Sequence, residues 1–311
     1  MTSNDQIRSK VLALGFSHCG FAKAEPLESL RSFYEDFLAG RDFSGMNYLE
    51  RYTEQRLYPE LLLPGVQSVI AVLMNYYPEE RLPEEDNFIL SKYAYGRGYQ
   101  KVMKGRLGKL VEFLVESYPG YRSLAYADSG PVLEKLWAQR CGVGWQGKHT
   151  ILINETDGSF FFIGIILTTI TLEPEPPGHD RCGNCTRCIE ACPTNALHTP
   201  YVLDINRCLT FHTNVNKGVI PDAVKGKFQG RIYGCDACQD ACPFNHAPKP
   251  TRETAFQILP GLSDLRKPQW RSLQEEEFNQ IFQYSEIKHT GFQTIKRNLE
   301  LACERPDREN D

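Results

Sequence analysis

Eight of the eleven cysteines fall between residues 182 and 242, in two runs that each end on Cys-Pro. The first is Cys182-x-x-Cys185-x-x-Cys188-x-x-x-Cys192-Pro193, the second is Cys235-x-x-Cys238-x-x-x-Cys242-Pro243, and Cys208 stands alone between them. Two-residue spacers let three thiolates wrap one face of an iron–sulfur cubane. In two-cluster ferredoxins the cysteine before proline ligates the other cluster. The pattern therefore assigns Cys182, Cys185, Cys188 and Cys242 to one 4Fe–4S cluster, and Cys192, Cys208, Cys235 and Cys238 to a second. Such a module passes single electrons, so the rest of the chain must explain where they go.

Two plainer readings of these cysteines fit less well. Structural zinc takes four ligands, usually as two separated pairs, unlike successive two-residue spacers with Cys-Pro endings. Disulfides need an oxidising compartment, and Met1-Thr2-Ser3-Asn4-Asp5-Gln6 has no apolar core behind a basic start. A cytoplasmic protein is expected. Cys19, Cys141 and Cys303 are isolated and read as small buried side chains.

The order of the remaining segments predicts an α+β fold in three parts, bounded at 1–172, 173–250 and 251–311. In the first, Ile7, Val11, Leu12 and Leu14 recur at helical spacing, and Gly20 to Ala22 reads as a strand. A helix is expected over Leu27 to Leu38 and a central strand over Ser68 to Asn75. A second helix carries Met103, Leu107, Leu110, Val111 and Leu114 and stops at Pro119-Gly120. Strands are expected at Arg122 to Ala127, Thr150 to Asn154 and Ser159 to Thr169. The apolar runs lack regular strand–helix–strand alternation, which favours a mixed sheet over a doubly wound one. Glu173-Pro174-Glu175-Pro176-Pro177-Gly178 is a stiff hinge into the cysteine module. After Pro250, helices are expected at Leu273 to Phe282 and Thr294 to Ala302, then a loose tail from Glu304 to Asp311. The most apolar stretch, Phe160 to Leu172, is shorter than the roughly 20 residues a membrane span needs, so no membrane partner is expected.

Four further segments bear on chemistry. Asp128-Ser129-Gly130-Pro131 follows a predicted strand. Asp128 either caps the helix near Pro131 or projects into a cleft, where a carboxyl kept neutral by burial can donate a proton. Cys141-Gly142-Val143-Gly144-Trp145-Gln146-Gly147-Lys148-His149 brings three glycines around a tryptophan. This suits either close backbone approach to a flat cofactor or a tight turn. Basic residues cluster at Arg97, Lys101, Lys104, Arg106 and Lys109, and again at Lys217, Lys225, Lys227 and Arg231. Such runs are solvated faces or phosphate-backbone contacts, and the net charge of −4 excludes only a uniformly basic surface. With no Rossmann G-x-G-x-x-G after a strand and no Walker P-loop, the electrons should come from a separate donor protein.

Several stretches resemble the epoxyqueuosine reductases, cobalamin-dependent iron–sulfur enzymes of tRNA modification. They are Gly45-Met46-Asn47-Tyr48-Leu49, Arg56-Leu57-Tyr58-Pro59-Glu60-Leu61-Leu62-Leu63-Pro64-Gly65, Asp128-Ser129-Gly130-Pro131, Gly144-Trp145-Gln146-Gly147-Lys148-His149 and Arg231-Ile232-Tyr233-Gly234-Cys235-Asp236-Ala237-Cys238-Gln239. The resemblance covers nearly the whole chain. It implies a cobalamin-binding domain similar to flavin reductases, a two-cluster ferredoxin-like module and a short helical C-terminus. It implies electrons passing through two 4Fe–4S clusters to cobalamin, and an epoxide at the tRNA wobble position reduced to an alkene. Asp128 would be the proton donor. Trp145, Lys148 and His149, with Arg56, would contact the corrinoid. The tRNA contacts are expected from the two basic patches, with Lys217, Lys225, Lys227 and Arg231 the residues named for them, and a monomer suffices.

The chain departs from the family where Gly96-Arg97-Gly98-Tyr99-Gln100 replaces the usual Gly-Arg-Asp-Tyr-His, and at Thr213-Asn214-Val215, where Thr-Ile-Glu is usual. The rival readings are another corrinoid iron–sulfur enzyme such as a reductive dehalogenase, or a non-catalytic electron carrier or cobalamin-handling protein. A pure carrier needs neither the large α+β region nor Asp128.

Overall fold

A computed structural model of the chain describes residues 3–39 and 46–303; Gly45 and the expected tail from Glu304 lie outside the described residues. The N-terminal part runs α1 (Ser3–Ala13), β1 (His18–Lys23), α2 (Arg31–Leu38), α3 (Thr53–Leu57), β2 (Ser68–Asn75), β3 (Ile89–Leu90), α4 (Tyr99–Ser117), β4 (Ser123–Tyr126), α5 (Glu134–Arg140), β5 (Trp145–Gln146), β6 (Leu152–Ile153) and β7 (Phe161–Thr168). The cysteine module contributes α6 (Arg187–Glu190), β8 (Arg231–Tyr233) and α7 (Ala237–Asp240). The C-terminal part is α8 (Lys267–Ser272), α9 (Glu275–Ile281), α10 (Ile287–Thr290) and α11 (Phe292–Cys303).

The main sheet has the order β1-β2-β7-β4, antiparallel at every pairing. β2 reads as an unbroken apolar run because both of its faces are covered. Ile70, Val72 and Met74 point to one side, where Ile7 and Val11 of α1 and Met103, Leu107, Leu110 and Leu114 of α4 close over them. Val69, Ala71 and Leu73 point to the other, against Leu57, Trp137 and Cys141. This two-sided burial, at about 25 cal/mol per Å² of apolar surface, fixes register, since a one-residue slip would exchange the two faces.

The C-terminal helices do not stand apart. Trp270, Phe278, Phe282, Ile287 and Ile295 share a core with Leu82, Phe88, Leu90, Tyr95 and Tyr233. β3 pairs in parallel with β8, so the segment before α4, the cysteine module and the C-terminal helices meet at one seam. Asn298 is fully buried there and donates to the Thr213 and Ile232 carbonyls, both at 2.9 Å. Among the described residues no helix is long and apolar enough to cross a membrane. Cys19 and Cys141 are buried as expected, but Cys303 is exposed on the last turn of α11.

Candidate active site

Asp128 sits on the turn leaving β4, in the left-handed region at φ 51°. Aspartate visits this region more readily than most residues, and such outliers persist only when neighbours over-determine them. Three neighbours do so. The Tyr99 hydroxyl and the Gln100 side-chain amide both donate to Asp128 Oδ2, the latter at 3.3 Å. The Asp128 backbone N–H donates to Glu134 Oε1 at 2.5 Å. The carboxyl therefore does not cap α5, whose N-cap is Leu133. The expectation of burial is not met either: Asp128 is exposed, and its carboxyl is positioned by two neutral donors on one oxygen. Among the described residues Oδ1 accepts no hydrogen bond.

Tyr99 is itself locked by stacking on Phe162, with ring centroids 4.3 Å apart. Burial, and then the charge of Asp128, push its phenol far above the ordinary range, so it stays a donor. Glu134 is half-buried, and burial pushes its carboxyl up to about 7. Neither residue stood out in the sequence.

The substituted stretch before α4 explains how this donor set is held. Where the family has an acid, Gly98 forms the N-cap of α4 and carries no side chain to cap it. The backbone N–H groups of Tyr99 and Gln100 instead bond Glu286, on the far side of the chain. A Cβ at Gly98 would stand 2.7 Å from Glu286 Oε1. The glycine makes room for a capping carboxylate supplied from the C-terminal segment. Gln100, where the family has histidine, contacts Asp128 directly. At the second departure, the Asn214 amide donates to the Tyr93 hydroxyl at 2.7 Å, and Asn214 Oδ1 accepts the Gly234 N–H at 2.9 Å, next to Cys235.

Arg56 is buried, with its guanidinium on the Tyr48 and Arg51 carbonyls at 3.2 and 3.3 Å. Partial burial and then the charge of Asp128 raise the Tyr48 phenol, and Arg56 opposes this. Arg56, Tyr48 and Asp128 thus share one neighbourhood.

The 145–149 loop is a tight hairpin between β5 and β6, and its own packing accounts for Gly144 and Gly147. A Cβ there would lie 2.3 Å from the Ile153 carbonyl oxygen or 2.5 Å from Ile153 Cδ1. The side chains are less self-contained. Trp145 and His149 are both 2 % exposed, and Trp145 Nε1 and His149 Nε2 are buried with no partner among the described residues. His149 Nδ1 accepts the Ile151 N–H at 3.2 Å, which leaves Nε2 as the protonated nitrogen. Burial, then the charge of Lys135, lower the imidazole to about 4, so it is neutral at pH 7. Two orphaned donors in one loop suit a group rich in acceptors, as a corrin with its ring of amide carbonyls is, since each buried N–H left unpaired costs about 1–3 kcal/mol. Trp145 also packs on Cys182 and Cys242. Lys148 donates to the Gly183 and Cys185 carbonyls at 2.6 and 3.0 Å. The loop therefore borders the first cysteine set.

None of the eleven cysteines is joined in a disulfide. Burial is the first cause raising Cys188, Cys208, Cys235, Cys238 and Cys242, and neighbouring thiols add to it. Cys188 is raised by Cys182 and Cys185, and Cys242 by Cys182, Cys188 and Cys185. Cys238 is raised by Cys235, Cys208 and Cys192, and Cys235, up to about 11, by Cys208. Each thiol acts on members of its own expected quartet, with the Cys-Pro cysteine crossing over in both. Among the described residues no three Cys, His, Asp or Glu side chains are grouped as ligands of a single metal ion. Quartets close enough to feel one another but not to share one ion suit a cubane rather than zinc. The second loop is anchored by Asp236, which accepts from the Lys92 N–H at 2.8 Å and its ammonium at 3.3 Å.

The basic residues differ in freedom. Lys217 is exposed, and its ammonium bonds the Thr290 carbonyl and, at 3.3 Å, the Thr294 hydroxyl. Lys225 pairs with Asp222 at 2.8 Å. Lys227 is exposed, and Arg231 is half-buried with Nη1 on Gln229 at 3.0 Å.

Residues 181–245 match the family model for a 4Fe-4S double cluster binding domain, and residues 56–129 match the one described as Epoxyqueuosine reductase QueG, DUF1730. The chain is 40% identical over 298 residues to an epoxyqueuosine reductase of Cellulophaga algicola, covering 96% of this chain and 97% of the relative. It is 37% identical to that of Cyclobacterium marinum, over 95% of each. Among solved structures it is similar to an epoxyqueuosine reductase of Streptococcus thermophilus, with TM-score 0.86, 26% identity and coverage of 97% of this chain and 81% of the other. It is also similar to an epoxyqueuosine reductase crystallised with a tRNA-Tyr epoxyqueuosine-modified stem loop, with TM-score 0.83, 28% identity and coverage of 96% and 80%.

Proposed function

Because the chain belongs to the epoxyqueuosine reductase family, we propose that it reduces epoxyqueuosine at the wobble position of tRNA to queuosine, with Asp128 as the proton donor. Two electrons and two protons enter, the epoxide C–O bonds break, an alkene forms and water leaves. When bound, the two 4Fe–4S clusters relay single electrons and cobalamin supplies the low-potential chemistry at the epoxide. The whole-length identity to curated epoxyqueuosine reductases favours this reading over a dehalogenase or a simple carrier.

The protein's own residues would do the following. Cys182, Cys185, Cys188 and Cys242 hold the first cluster, and Cys192, Cys208, Cys235 and Cys238 the second. His149 and Trp145 offer N–H donors to the corrin. Lys148 ties their loop to the first cluster, and Arg56 holds the Tyr48 segment beside the reacting face. Asp128 Oδ1, the oxygen left free by Tyr99 and Gln100, presents a proton where the epoxide oxygen departs. Lys225, Lys227 and Arg231 meet RNA phosphates, and Lys217 ties that surface to Thr290 and Thr294. The protein works as a cytoplasmic monomer fed by a separate electron-donor protein.

The observation that supports this reading most is the side-by-side placement of the first cysteine quartet and a loop with two buried, unpartnered N–H donors. The test is anaerobic reconstitution with iron, sulfide and cobalamin, followed by assay on epoxyqueuosine tRNA. About eight irons per chain, a base-off cob(II)alamin signal and conversion to queuosine are expected. About four irons or fewer, or loaded protein that leaves the epoxide intact, would contradict it.

A further inference from the structure

The exposed face of α4 carries its charges against its own helix dipole. From the N-terminus it runs Gln100, Lys101, Lys104, Gly105 and Lys109, then Glu112 and Glu116. Cations are favoured near a helix C-terminus and acids near its N-terminus. Here the first turns are basic and the last turn holds no base, so the arrangement costs helix stability and calls for a reason outside the helix. Neighbouring acids do not supply one. Glu253 pairs with Arg106, which lies toward the core side, and Glu286 is turned to the Tyr99 and Gln100 N–H groups. Among the described residues Lys101, Lys104 and Lys109 form no ion pair.

The stripe begins at the reacting acid. Gln100 bonds Asp128, Lys104 lies one turn beyond Gln100, and Lys101 and Lys104 are neighbours at i, i+3. Lys101 to Lys109 spans about 12 Å of helix, enough for roughly three phosphates of one stacked strand at ~3.4 Å each. Beside the same end, the Arg97 guanidinium lies over the Tyr284 ring, 5.7 Å from its centroid, and Tyr284 is 57% exposed. Its carbonyl accepts the Gly98 N–H at 2.6 Å, which fixes this pair to the start of α4. An exposed aromatic paired with arginine is a platform for an unstacked base.

We propose that the single-stranded loop of the substrate tRNA lies along this face, its phosphates on Lys101, Lys104 and Lys109 and a base flanking the reduced nucleotide stacked on Tyr284 and Arg97. The proposal rests on the function given above and adds a second contact to the surface around Lys225 and Lys227. The positive end of the stripe guides the strand to Asp128, and the acids beyond Lys109 end the track.

The test is binding of epoxyqueuosine tRNA to the loaded holoenzyme across a series of salt concentrations. Replacing Lys101, Lys104 and Lys109 together by Gln should flatten the slope of log K against log salt by about 2, at roughly 0.7 per lysine on a single strand. Tyr284→Ala should weaken binding roughly five- to hundredfold, with Tyr284→Phe close to wild type because the ring is kept. Variants of wild-type iron content that bind with unchanged slope and affinity would overturn the proposal. A wild-type protein that binds the tRNA but leaves the epoxide intact would instead overturn the function on which it rests.

Discussion

Glu134→Gln separates the buried carboxyl beside Asp128 from the hydrogen bond it makes. In the fold this carboxyl titrates at about 7 against an ordinary 4.5, chiefly through burial. The native state therefore holds a proton between these values that the unfolded chain has released, and stability falls as pH rises. This favourable contribution is complete below 4.5 and is lost as pH climbs through 7. At 1.36 kcal/mol per pH unit of displacement, the full range is about 3 kcal/mol, of which about 2 kcal/mol falls between pH 5.5 and 8.5. Glutamine keeps an oxygen for the Asp128 N–H but cannot ionise. The assay is anaerobic urea denaturation of both proteins at several pH values. The wild-type curve should decline relative to Glu134→Gln by about 2 kcal/mol across that window, leaving the variant the more favoured of the two at pH 8.5. Curves that stay parallel within about 0.5 kcal/mol would refute the burial of this group.

Other outcomes follow from the same geometry. Cys242→Ser and Cys182→Ser should each lower iron from about eight to about four per chain and erase the same electron paramagnetic resonance signal; loss of different signals would contradict the crossover of Cys242. Gly98→Asp should destabilise by about 1–3 kcal/mol in thermal melts, because its side chain meets Glu286, and pairing it with Glu286→Ala should recover most of that. Lys217→Ala should cost about 1–2 kcal/mol of stability, through lost hydrogen bonds to Thr290 and Thr294, with little change in the salt dependence of tRNA binding.

What was legible in the sequence follows from how local each signal is. The strand over Ser68 to Asn75 matches β2, since a doubly covered strand writes its burial into consecutive residues. The 4Fe-4S double cluster domain over residues 181–245 is readable because cubane geometry fixes cysteine spacing. The expected helix over Leu27 to Leu38 begins as a short 3-10 turn, Glu28–Leu30, before α2. The setting of Asp128 is not local: Tyr99 and Gln100 arrive from α4, and Glu286, which caps that helix, lies more than 150 residues on. Glu134 is only six residues away, yet nothing in its neighbours announces that α5 turns it inward. Lys217 is exposed as its basic run suggests, but the Thr290 carbonyl that its ammonium bonds belongs to a distant helix.

The most direct measurement is a single-turnover comparison of wild type and Asp128→Asn, both with about eight irons and bound cobalamin, pre-reduced and mixed with epoxyqueuosine tRNA. Asparagine keeps an oxygen for Tyr99 and Gln100 but has no carboxyl proton to give. Loss of a general acid predicts queuosine formation slower by about 10²–10⁴-fold with tRNA binding retained. Formation at the wild-type rate would contradict the account.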